Sequence, residues 1–184
     1  MSGFLIALLI IGILLVVFIS IYNSLVRLKV LVRNAFADID VQLKKRHDLV
    51  PNLVETVKGY AAHERTTLEN VIKARQMAVQ AQGPDEKMKS ENVLTQALRQ
   101  LFAVVENYPN LKANENFIML QQELSNIEEA IQSARRYYNA VVRDYNTRIM
   151  VFPSNIVASM FGFKAETFFE IGEPGEREAP RVQF

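Results

Sequence analysis

Two histidines are the first place to look for chemistry, and each is followed by an acid: His47 by Asp48 and His63 by Glu64. In a helical chain, a carboxylate-bridged pair of metal ions needs Glu-x-x-His on two helices, so that both side chains of each pair reach one point. Neither histidine fits, because Lys44 stands three residues before His47 and Tyr60 three before His63. The adjacent acid does not substitute, since neighbours on a helix point about 100° apart. No Walker loop, GxGxxG or GxSxG element is present, and the chain has no cysteine to serve as nucleophile, thiol ligand or disulfide. The residues therefore predict no catalytic group, no metal and no cofactor, and a protein that is not an enzyme.

A different kind of chemistry is suggested by RRYYNAVVRDYN at 135–146, in which Arg136, Tyr138 and Asn139 recur seven residues on as Arg143, Tyr145 and Asn146. Seven residues are two helical turns, so each pair shares a face. Asn costs roughly 0.5 kcal/mol relative to Ala inside a helix, and a solvated face would use Glu, Lys or Gln more cheaply. Tyr138, Val141 and Tyr145 define an apolar seam; Arg136, Asn139, Arg143 and Asn146 form a second stripe well away from it. That stripe faces solvent, a neighbouring subunit, the returning C-terminal segment or a partner. Contact is favoured, because amides and guanidinium forks donate and accept with fixed geometry and suit capture of backbone.

The elements that must position these residues are helical. Gly and Pro are scarce, at 7 and 6 of 184 residues, and strand-like alternation is rare. Lys and Arg number 21 against 20 acids, a balance that argues against a nucleic-acid partner. Residues 4–22 carry no charge and would span about 28 Å as a helix, close to the hydrocarbon thickness of a bilayer. They read as an uncleaved transmembrane anchor rather than a signal peptide, for want of a basic n-region and a small-residue cleavage site. Arg27, Lys29 and Arg33 follow the span, which puts the N-terminus out and the body in the cytoplasm. Placement of the body on the outer side is the alternative.

Beyond the anchor, Val32, Phe36, Ile39, Leu43, Arg46, Val50, Leu53, Val57 and Tyr60 alternate steps of three and four. This is a heptad seam of coiled-coil type, apolar except at Arg46. It predicts a first helix continuous with the anchor and reaching about Ala62, kinked but not ended by Pro51. A second helix is predicted from a capping box at Thr66 and Glu69, with Leu68, Val71, Ile72, Arg75 and Val79 as its face and Gly83–Pro84 as its stop. A third is expected near 86–107 on Leu94, Leu98, Leu101 and Val105, and a loop near 109–114. The fourth starts after Asn114 as N-cap and carries Phe117, Leu120, Leu124, Ile127, Ile131, Ala134, Tyr138, Val141 and Tyr145.

The predicted fold is all-α: an N-terminal transmembrane helix continuous with an up-down-up-down four-helix bundle, a short C-terminal amphipathic helix and an extended tail. In boundaries, this is an anchor at 1–23, a bundle at 24–150, the amphipathic helix and an extended segment at 151–171, and a tail at 172–184. The first and fourth helices run antiparallel, which sets Asn34 level with Arg143, Asp38 with Asn139, and Arg46 near Glu128 and Glu129. Arg46 either snorkels out of the seam or forms a buried ion pair that fixes register. The amphipathic helix, with Ile156, Val157, Met160 and Phe161 as its apolar side, caps the base of the bundle or rests in the headgroups. Capping is favoured, because only Lys164 supplies a basic flank.

The stretch RRYYNAVVRDYNTRIMVFPSNIVASMFGF, with RHDLVPNLVETVKGYAAHE before it and TFFE and APRVQF after it, resembles the LemA family of bacterial membrane-anchored helical proteins. The likeness covers nearly the whole chain. It implies an N-terminal anchor in the bacterial inner membrane, a long helical bundle and no established enzymatic activity. It also implies that Asn34, Pro51, Asn52, Tyr138, Asn139, Asn146, Pro153, Pro180 and Val182 match motif positions. Asn34, Arg136, Asn139, Arg143, Asn146, Pro180 and Val182 are accordingly the candidate interface, and Pro51 the candidate kink. The expected partners are further copies of the chain, giving a homo-oligomeric scaffold, and membrane lipid through residues 4–22. The alternative is a sensor or adaptor that passes signals through the anchor helix to a protein partner.

Overall fold

A computed structural model describes residues 2–169. Its helices are α1 (Ser2–Lys58), α2 (Arg65–Gln80), α3 (Gly83–Val105), α4 (Pro109–Lys112), α5 (Glu115–Met150) and α6 (Ser154–Met160). No strand occurs among the described residues. The architecture is the expected all-α one, a long apolar N-terminal helix leading into a bundle. The chain divides into two compact units, one of Met1–Asp38 with Ala134–Phe168 and the other holding Ile39–Ser133. Helices α1 and α5 contribute to both.

In the first unit, α1 opens with an 18-residue window of mean hydropathy 3.4, and the unit leaves its side chains from Phe4 to Val17 exposed. That stretch is long and apolar enough to cross a membrane. Further along, Val32 and Ala35 of α1 and Tyr138, Val141, Val142 and Tyr145 of α5 are buried. Phe36 meets Tyr138 edge-on, with ring centroids 5.7 Å apart. A second, smaller cluster joins Ile21 and Leu25 of α1 to Val157 and Ala158 of α6.

The second unit packs α1, α2, α3 and α5 around Val50, Leu53, Val57, Val71, Leu94, Leu98, Leu101, Phe117 and Leu124. Arg46 of α1 bonds Glu128 of α5 at 2.5 Å, and just past the end of α1 the amide of Asn114, which precedes α5, donates to the Tyr60 hydroxyl at 3.0 Å, so two contacts set the antiparallel register here. The residue numbers of both pairs total 174, as antiparallel helices of equal rise require. Asn114 caps α5, its Oδ1 accepting from the Phe117 N–H at 3.0 Å.

Several local expectations are corrected. Helix α1 ends at Lys58 rather than near Ala62, and Tyr60 lies in the turn beyond it, 46% exposed. Glu64, not Thr66, precedes the first residue of α2, and no side-chain cap forms, so the Thr66–Glu69 box lies inside the helix. The buried face of α2 is Leu68, Val71, Ala74 and Ala78, while Ile72 and Val79 are exposed. Gly83 and Pro84 begin α3 instead of stopping α2. Gly83 takes φ +76°, Pro84 supplies the preset φ of a first turn, and Glu86 accepts from the Gln82 N–H at 2.8 Å. The expected loop after Tyr108 contains the single turn α4, anchored by buried Leu111.

Candidate functional site

The second unit gathers its charges around Arg46, which is fully buried. Of the two readings of this seam cation, the structure takes the buried ion pair. The Nη2 of Arg46 binds a carboxylate oxygen of Glu91 on α3 and also the Glu91 carbonyl at 3.2 Å. Its Nη1 donates to Glu128 of α5 at 2.5 Å and to the Thr95 hydroxyl at 3.2 Å. His47 Nε2 lies 2.6 Å from the other Glu91 oxygen. Burial alone would raise the Glu91 carboxyl, but the hydrogen bond from His47 and the charge of Arg46 outweigh it and hold the group below its ordinary value of 4.5.

One face of this network opens into a cleft of about 400 Å³ lined by Asp40, Lys44, His47, Asp48, Arg75, Lys87 and Glu91. Arg75 donates to the main-chain oxygen of His47 at 2.6 Å, and Lys87 donates to Asp40 at 2.7 Å. Asp40, Asp48 and Glu91 line the cleft together with Lys44, Arg75 and Lys87, so it presents no single-sign field to a ligand. Among the described residues no group of three His, Asp or Glu side chains is placed to hold a metal ion. Sequence reasoning missed Glu91, yet a signal was there: it precedes Leu94 and Leu98 by steps of three and four, so it sits on the seam of α3 as Arg46 sits on that of α1.

In the first unit the repeat in α5 acts on its own chain. After Gly162, at φ +68°, residues 163–169 run without helix. The Tyr145 hydroxyl donates to the Lys164 carbonyl and the Tyr138 hydroxyl to that of Thr167, both at 2.9 Å. Between them the Asn146 amide donates to the Glu166 carbonyl and its oxygen accepts from the Glu166 N–H, again at 2.9 Å each. Two helical turns rise about 10.5 Å, and three extended residues cover about 10 Å, so the seven-residue repeat matches a strap laid along α5. Burial, and secondly the charge of Glu166, raise the Tyr145 phenol, which keeps it a donor.

The other candidate positions divide. Asn139 is half-buried; Arg136, Arg143 and Asn34 are exposed, and Arg143 Nε lies 3.9 Å from Asp144. Pro51 lies within α1. Pro180 and Val182, with the tail at 172–184, are outside the described residues.

The described residues thus form a membrane-length apolar N-terminal helix leading into an all-α bundle. The chain belongs to the LemA family, whose model matches residues 35–184. It is 27% identical over 167 residues to Protein LemA of Metamycoplasma hominis, covering 89% of this chain and 75% of that one. Magnetosome protein MamQ 2 of Paramagnetospirillum magneticum is 27% identical over 181 residues, and Magnetosome protein MamQ of Magnetospirillum gryphiswaldense 26% over 181. Both matches cover 84% of this chain and 66% of the relative, so the chain spans just under two thirds of the magnetosome proteins' length.

Proposed function

We propose that this protein is a single-pass, membrane-tethered scaffold whose bundle self-associates at the bacterial inner membrane through surface side chains. One observation carries the reading: the ionic groups inside the second unit are matched to one another, Arg46 to Glu91 and Glu128 and His47 to Glu91. Surfaces, rather than a poised interior group, are left to act on a partner. Asn146 is committed to the strap, so the self-association surface narrows to Arg136, Tyr137 and Arg143, which are exposed on α5. Arg and Tyr are enriched at protein interfaces. Arg27, Lys29 and Arg33 after the apolar stretch favour a cytoplasmic bundle.

Light scattering on the detergent-extracted full chain tests the proposal. Its expected mass is a multiple of 21.0 kDa, falling to one copy in Arg136→Glu/Arg143→Glu with helix content unchanged. A wild-type monomer at micromolar concentration overturns it. A signalling reading has one observation of its own, that a single helix, α1, bears the apolar stretch, Arg46, His47 and Pro51. It requires Pro51→Ala to alter the response of a partner without altering the assembly mass.

A further inference from the structure

Helix α6 buries only one side of itself. Ser154, Val157 and Ala158 are covered, whereas Ile156, Met160 and Phe161 are half or more exposed. The residues that lead into it add to the same apolar surface: Met150 is 70% exposed, Phe152 79%, and Val151 42%. Six large apolar side chains exposed between residues 150 and 161 make the kind of apolar surface that marks an interaction site.

The place of this patch in the first unit says what covers it. Phe161 stacks obliquely on Tyr22 at 4.6 Å and on Phe18 at 6.0 Å, and Phe163 meets Tyr22 at 6.0 Å. Val157 and Ala158 pack on Ile21 and Leu25. Helix α6 is thus held against residues 18–25 of α1, the last turns of the uncharged stretch and the first turn after it. Cations begin immediately beyond, at Arg27 and Lys29, and Lys29 Nζ sits 5.9 Å from the Phe163 ring centroid. With residues 4–22 as the span, this level falls at the boundary between hydrocarbon and headgroups, where aromatic rings and lysine stems collect.

We infer that α6 and the residues 150–152 before it form a second membrane-contacting element, seated in the headgroup–acyl boundary of the leaflet where the anchor emerges. The lipid surface is the occupant because Phe161 on Phe18 and Tyr22, and Val157 and Ala158 on Ile21 and Leu25, hold the α6 patch against the end of the exposed apolar stretch of α1. The inference rests on the anchor reading. It extends the lipid contact of this protein from one spanning helix to a span plus a surface wedge.

The chain has no tryptophan, so single Trp reporters can be read alone in the full-length protein in phosphatidylcholine/phosphatidylglycerol nanodiscs. Phe152→Trp and Met160→Trp report on the patch, Val16→Trp on the span, and Met119→Trp on the exposed surface of the second unit. The expected result is loss of emission at 152 and 160 with lipids brominated high on the acyl chain, little loss at 119, and strong loss at 16 with deeply brominated lipids. Quenching at 16 but not at 152 or 160 overturns the wedge and leaves the anchor standing. Unquenched but blue-shifted emission at 152 and 160 overturns it in favour of a second copy covering the patch. No quenching at 16 overturns the anchor and the wedge together.

Discussion

Arg75 of α2 donates its Nε–H to the main-chain carbonyl of His47 at 2.6 Å, and that carbonyl is the one Pro51 leaves without a helical donor. A proline inside α1 thus creates an acceptor, and a cation from the neighbouring helix fills it. The two residues should be energetically coupled. Arg75→Ala is expected to destabilise the chain by about 1 kcal/mol, the low end for stranding a polar group, because the bond is only part-buried. In the Pro51→Ala background the amide of residue 51 restores the helical bond, and the same substitution should be milder by on the order of 1 kcal/mol. Urea denaturation of the four variants measures the coupling. Equal Arg75→Ala effects in both backgrounds would show that Pro51 and Arg75 act independently.

The Arg46–Glu91 pair makes a sharper claim, because both side chains are almost wholly buried. Arg46→Met leaves the Glu91 carboxylate in the interior with only His47, and Glu91→Leu leaves the Arg46 guanidinium with Glu128 as its one remaining carboxylate, beside the Thr95 hydroxyl and the main-chain carbonyl of residue 91. Each should cost about 3–5 kcal/mol, whereas the double replacement should cost less than either, because the charge it leaves without its partner, Glu128, is 37% exposed and not buried. Additive losses in denaturant midpoints would mean that the pair contributes through packing and not through charge matching.

The Glu128 half of this network is legible in the sequence and the Glu91 half is not. Heptad seams on α1 and α5, with a single connectivity argument, place Arg46 near Glu128 and Glu129, and the structure selects Glu128. Register over long helices depends only on rise per residue. Glu91 escaped because an acid between Lys87 and Leu94 looks like surface unless its step is counted against the seam. Helix α2 was misread for a related reason: Ile72 and Val79 have core-like side chains, but the unit buries Ala74 and Ala78 instead. A small residue lets helices approach closely, and its own hydropathy says little about where it sits. On α5 the repeat at Asn139 and Asn146 was visible, and capture of backbone was the right chemistry for Asn146. That its target was residue 166 of the same chain follows from the turn at Gly162, which heptad counting does not see.

Acid should unfold the protein partly through Glu91. Its carboxyl is held below 4.5 in the folded state, so the unfolded chain binds more protons as pH falls past that value. The stabilising contribution is therefore complete above about 4.5 and is lost as pH drops through the lower folded value. In Glu91→Gln the protein should be less stable at neutral pH but show a shallower loss across that acid window. Thermal midpoints from pH 7 downward give the slope; parallel curves for the variant and wild type would remove Glu91 from the acid response.

The strap offers the cleanest local test, because Asn146 bonds both polar groups of one residue, the Glu166 carbonyl and the Glu166 N–H. Asn146→Ala strands both, and should release residues 163–167 at a local cost of about 1–3 kcal/mol while α5 stays helical. Asn146→Asp keeps an acceptor for the Glu166 N–H but turns an oxygen toward its carbonyl, so its effect should include repulsion that Ala lacks. Tyr145→Phe removes a single neutral donor to Lys164 and should cost nearer 1 kcal/mol. Amide exchange at Glu166 reads all three, since its N–H is free to exchange only when the strap lifts. The expected acceleration is largest for the two Asn146 variants and least for Tyr145→Phe. If Glu166 exchanges in Asn146→Ala as slowly as in wild type, the asparagine is not what holds the strap, and the two-turn match between α5 and the extended segment loses its meaning.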